Sequence, residues 1–156
     1  MTSTTMITAI LMLLVSCYAQ QPENPRTKVP EKCKVEDKEP NAPKYKVAKA
    51  WPTGTTPIET YLLISIEPEE FTTNKIVALA RQLSKDFCKE TRFGVIIFDD
   101  YNAARYVTYL SNTRELEKAQ RGFYHIDRAK NQVYVQFSTV RGKPTDEVKI
   151  DLTKEP

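Results

Sequence analysis

Residues 60–98 read TYLLISIEPEEFTTNKIVALARQLSKDFCKETRFGVIIF, and the architecture turns on them. Tyr61-Leu62-Leu63-Ile64-Ser65-Ile66 is a nearly continuous run of apolar β-formers, the pattern of a strand covered on both faces. Glu67-Pro68 ends it, because proline lacks a backbone donor and restricts the residue before it. Thr72 is placed to cap a helix, with Phe71 and Ile76 at the positions of a hydrophobic staple. Ile76, Leu79, Ala80, Leu83 and Phe87 then follow the three-and-four spacing of one buried helical face. Phe93-Gly94-Val95-Ile96-Ile97-Phe98 is a second doubly covered strand, ending at Asp99-Asp100. Strand, helix and strand in this order form a βαβ unit, so the two strands are expected to run parallel with a right-handed crossover.

Downstream, Tyr101 to Leu110 reads as a shorter helix with Ala103, Tyr106, Val107 and Leu110 inward, and a further helical turn is expected around Leu116. Gly122–Asp127 and Gln132–Phe137 flank Arg128-Ala129-Lys130-Asn131, a hairpin whose Asn131 suits the left-handed position. Glu147–Leu152 alternates and is expected to add a charged edge strand. The expected fold is therefore α/β (or α+β). A small mixed sheet of four to five strands, in the order β-α-β-α-β-β with edge strands before and after, has helices covering at least one face.

Upstream, the composition shifts. Seven of the ten prolines lie between Gln20 and Pro57, mixed with charged residues, so residues 20–59 read as a tether carrying a short edge strand around Tyr45–Trp51. Residues 60–152 form the expected globular domain and residues 153–156 a tail. Residues 1–22 carry no charged side chain, and Met6–Val15 is an apolar run broken only by Thr8. Spanning a bilayer takes about 20 such residues, so the run has the length of a signal-peptide core. Cys17-Tyr18-Ala19 fits cleavage after residue 19. Leu14-Val15-Ser16-Cys17 also resembles a bacterial lipoprotein box, with residues 1–16 removed and Cys17 acylated. Either route places the chain in a periplasmic or extracellular setting, membrane-attached only if Cys17 is lipidated. Cys33 and Cys88 remain as a pair, and an oxidising compartment favours joining them.

The 156-residue chain has 23 Lys+Arg, 20 Asp+Glu and one His, so a net charge of +3 gives no strong footprint for nucleic acid. Its four glycines build no phosphate-binding loop, no serine stands in a nucleophile elbow, and no compact metal-ligand spacing or cofactor motif is present.

Chemistry therefore rests on a few positions. Glu67, Asp99 and Asp100 close the two parallel strands, the edge where ligands gather in open sheets. Three carboxylates there would raise one another's pKa or recruit a hard cation, whereas a capping role needs only one of them at the next helix. His125 shares a strand face with Phe123 and Asp127 and is the one side chain suited to proton transfer near neutral pH. Tyr101, Tyr106, Tyr109, Tyr124 and Tyr134 cluster in or beside the second helix and hairpin, where exposed rings would suit recognition. The expected function is an exported, non-enzymatic domain for a protein or small-molecule ligand. The alternatives are a small secreted or envelope hydrolase using strand-end acids with a divalent cation, and an accessory subunit of an envelope complex.

Overall fold

The computed structural model describes residues 29–52, 60–107, 114–142 and 147–154. The leader, Cys17 and Tyr109 lie outside the described residues. Six strands form one sheet in chain order: β1 (Lys46–Pro52), β2 (Thr60–Ser65), β3 (Arg92–Phe98), β4 (Gln120–Asp127), β5 (Gln132–Ser138) and β6 (Glu147–Asp151). The expected four to five strands become six because both flanking segments join the sheet. β2 and β3 pair in parallel, with Tyr61 opposite Gly94 and Ser65 opposite Phe98, as the βαβ reading requires. Every other neighbouring pair is antiparallel.

Helix α1 (Thr73–Asp86) makes the crossover, and short helices α2 (Tyr101–Tyr106) and α3 (Arg114–Ala119) follow β3. The α1 face holds the main core. Ile76, Leu79, Leu83 and Phe87 pack on Leu62, Ile64, Val95, Ile97, Tyr124 and Val135. Phe71 and Ile76 are both buried in that core, as a hydrophobic staple demands. Thr72 occupies the N-cap position, but its side chain makes no capping bond.

The opposite face has a smaller core of Leu63, Phe98, Ala104 and Ala119 beneath α2 and α3. A six-residue helix is only about 9 Å long, so these two cover one end of strands that are each several residues longer than their span. Helix α2 stops at Val107, earlier than the expected Leu110, and Lys49 from β1 donates to the Val107 carbonyl.

The proline-rich residues before β1 lie along α1. The amide of Glu39 donates to Gln82 Oε1 at 2.7 Å, and Lys85 Nζ meets Glu39 Oε1 at 2.7 Å. Gln82 Nε2 donates to Asp86 Oδ1 at 2.6 Å, while Tyr45 and Lys32 both reach Oδ2 of the same carboxylate. Burial, and then the bonded Asp86 carboxylate, push the Tyr45 phenol far above its ordinary pKa. Cys33 and Cys88 form a disulfide with Cα atoms 6.1 Å apart. That bridge is compatible with export, and no helix among the described residues is long and apolar enough to cross a membrane.

The edges are guarded. β1 carries Lys46, Lys49, an irregularity between Val47 and Lys49, and Pro52. β6 places Lys149 between Glu147 and Asp151, so antiparallel pairing with itself about Lys149 would set like charges opposite one another.

The hairpin turn is held by Asp127, which accepts from the Lys130 amide at 3.2 Å and pairs with Arg92 at 3.0 Å. Asn131 takes the left-handed position at φ 50°. Burial raises the Asp127 pKa, but the Arg92 hydrogen bond, the Lys130 amide and the two positive charges outweigh it and hold the carboxyl below its usual range. A depressed folded pKa lends stability that is present above the unfolded value and lost as pH falls through the folded one. Urea unfolding of Asp127→Asn is thus expected to show a large deficit against the parent at about pH 7 and a smaller one at about pH 2.5. Equal deficits at both pH values would remove the ion pair from the account.

Candidate ligand-binding site

Of the two readings of the strand-end acids the helix cap forms and the acidic cluster does not, although the strand ends do meet, with the Ile66 amide donating to the Phe98 carbonyl at 3.0 Å. Glu67 points to solvent and faces Lys46 at 3.8 Å. Asp100 caps α2 through the amides of Asn102 at 2.7 Å and Ala103 at 3.1 Å. Asp99 turns inward, its side chain 1% exposed, to Arg121 at 3.4 Å and Arg141 at 3.2 Å. Burial raises the Asp99 pKa against the pull of the two guanidinium groups. Consecutive residues leaving a strand point in different directions, so Asp99 and Asp100 serve different elements. Among the described residues no three acidic, histidine or cysteine side chains gather as a metal site.

The tyrosines separate for the same reason. Tyr124 points from β4 into the α1 core and is fully buried, so it cannot join Tyr134 on a recognition surface. Tyr101 is 37% and Tyr106 64% exposed on α2. Arg105 lies over the Tyr106 ring at 5.7 Å. His125 turns to the side opposite Tyr124, and Asp127, engaged by Arg92 and Lys130, is not its partner.

On that side the Phe123–His125 face expected from alternation is extended across neighbouring strands into a row of rings. Tyr61 and Phe123 lie 5.6 Å apart, Phe123 and His125 6.1 Å with planes 26° apart, and His125 and Tyr134 5.2 Å. All four side chains are half-buried. Cross-strand register explains the row: Tyr61 pairs with Gly94, Gly94 with His125, and His125 with Tyr134. Gly94 is the necessary gap, because a Cβ there would sit 2.2 Å from two carbons of the Tyr61 ring. The Tyr61 ring crosses β3 at that point and reaches Phe123. At the far end Lys149 Nζ stands 4.6 Å above the Tyr134 ring.

Where α3 rises from the sheet beside this row there is a cleft of about 610 Å³. Arg114, Glu117 and Lys118 of α3 line one side, and Phe123, Gln136 and Ser138 of β4 and β5 line the other. Gly142, at φ +71°, brings the turn after β5 against the Lys118 side chain. Phe123 belongs to both the ring row and the cleft, which makes the two one continuous surface.

Of the expected site residues, His125 and Tyr134 fall on this surface. Tyr61 was hidden because it reads as part of a doubly covered strand, whereas Phe123 was placed beside His125 by alternation but not joined to the rings of other strands. The alternation of Phe123 with Tyr124, and of Tyr134 with Val135, was the available signal.

The chain matches no family model, no curated protein and no solved structure.

Proposed function

We propose that this chain is an exported, non-enzymatic binding domain that holds a small organic ligand in the cleft between α3 and the outer face of β4–β5. The observation that carries this reading is the position of Phe123, a half-buried ring shared by the cleft and the aromatic row. Small-molecule sites are concave and fill roughly 300–1,000 Å³, the size class of this cleft. Rings offer large contact area at low entropy cost, and the solvent-accessible polar groups of Arg114 and Lys118 across the cleft can orient what binds. The hydrolase alternative lacks support in the geometry, since Glu67, Asp99 and Asp100 each serve a different neighbour. Docking through a sheet edge is opposed by the lysines, proline and irregular register already described.

The test uses N-phenyl-1-naphthylamine, an uncharged fluorophore whose emission rises in apolar surroundings. Added to the disulfide-bonded protein, it is expected to bind saturably at one site. Phe123→Ala should weaken binding about tenfold, the scale of a central aromatic anchor. Gly94→Ala should also weaken it, by driving the Tyr61 ring off β3. Thermal melting shows that each variant remains folded. Non-saturable emission, or a folded Phe123→Ala protein that binds as the parent does, would overturn the proposal.

A further inference from the structure

We infer that the ligand of this cleft is an organic anion: a planar ring system carrying a carboxylate or sulfonate, its ring on Phe123 and its acidic group toward Arg114 and Lys118. The inference rests on the reading of the cleft as a binding site and adds the chemical class of what enters it.

Charge distribution is the first argument. Arg114, Lys118 and Arg121 line the cleft, against Glu117 as its one acidic lining residue among those described. Arg141 and Lys149 stand beside it, at Asp99 and over Tyr134 respectively. Outside the lining, Glu115 pairs with Lys118 and Asp99 with Arg121. Lys149 is flanked on β6 by Glu147 and Asp151, so the excess rests on the lining itself, three basic groups to one acidic, and a concave wall of low dielectric strengthens it.

Availability is the second. The Lys118–Glu115 contact is 2.9 Å long, but its side chains are 39% and 76% exposed, so it is screened by water and readily exchanged for another anion. Arg114 is exposed at the start of α3. Arg121, by contrast, is held by Asp99 and by the Ser138 and Thr139 carbonyls, and its side chain is 5% exposed. Its guanidinium lies 4.1 Å from the buried Phe71 ring centre, so Arg121 backs the wall, and the cations within reach of a ligand are Arg114 and Lys118.

The third argument decides against the opposite charge. An organic cation would be drawn to the ring faces, but Lys149 already stands over Tyr134 and would repel it. An anion directed to Arg114 and Lys118 has to displace only the exposed Glu115 contact and pass one acidic lining residue, Glu117, and its ring can still lie against Phe123.

The experiment compares two probes with one ring skeleton. 8-Anilinonaphthalene-1-sulfonate is N-phenyl-1-naphthylamine with an added sulfonate. At low salt the sulfonate is expected to bind the disulfide-bonded protein about tenfold more tightly than the uncharged probe, with the advantage shrinking as salt rises. Arg114→Gln with Lys118→Gln should remove most of that advantage, weakening the sulfonate several-fold more than the uncharged probe. If the uncharged probe binds equally well or better, or if the double variant weakens both probes alike, the ligand class is wrong and the cleft reading stands on its dependence on Phe123. If neither probe binds saturably, both the class and the site fall.

Discussion

Replacing Cys33 and Cys88 together by serine is expected to lower the unfolding free energy by about 4 kcal/mol, equivalent to a fall in Tm of roughly 15 °C. The bridge closes a loop of 55 residues, and cross-linking so distant a pair removes many conformations from the unfolded chain. The native contacts around it should survive its loss at low temperature. Cys33 donates its amide to the Asp86 carbonyl at 2.7 Å, and Lys32, Tyr45 and Gln82 still converge on the Asp86 carboxylate. The double variant should therefore fold, with its core spectra intact, and melt early. Differential scanning calorimetry of parent and variant measures the gap. A loss below about 1 kcal/mol would mean that the unfolded chain already keeps the proline-rich segment against α1 without the bond.

Asp99→Asn is the second large effect, expected to cost about 3 kcal/mol. Arginine cannot shed its proton, so removing the carboxylate leaves the Arg121 guanidinium, 5% exposed, without its counter-charge. The loss is at the lower end for a broken buried pair because Arg121 keeps the Ser138 and Thr139 carbonyls and lies 4.1 Å from the Phe71 ring centre. Combining Asp99→Asn with Arg121→Met removes the stranded charge. The double variant is then expected to be less destabilised than the sum of the single ones, by about 2 kcal/mol. Chemical denaturation of all four proteins closes the cycle. Additive losses would show that the two side chains act independently, and the buried pair would lose its place at the top of the sheet.

The same pair shows how far local sequence reaches, since a cap by one of the two acids was legible and the fate of the other was not. Asp99 and Asp100 looked equivalent as strand-end acids, and local sequence distinguishes them only through the following helix, which one of them caps. Arg121 and Arg141 decide the fate of the other from 22 and 42 positions downstream. Such a pairing depends on β4 returning beside β3, a fact of topology and not of spacing. The tyrosines carry a related lesson. Their number suggested a cluster, but strand alternation sends Tyr124 to the α1 core and leaves Tyr134 to share a surface with residues as distant as Tyr61.

The amino-acid order by itself determined the elements whose cause is local. The apolar runs at 61–66 and 93–98, the stripe of α1 and the Asn131 turn follow from periodicity and backbone preference, and the parallel pairing of β2 and β3 follows from the handed crossover between them. Two cysteines among few sufficed for the bridge. Only the tertiary structure decided which strands the two expected edge segments pair with, that the proline-rich stretch lies along α1, and that four rings from β2, β4 and β5 meet across Gly94 beside a cleft. Those outcomes rest on register and on contacts between residues tens of positions apart, and no window of neighbouring residues contains the energy that sets them.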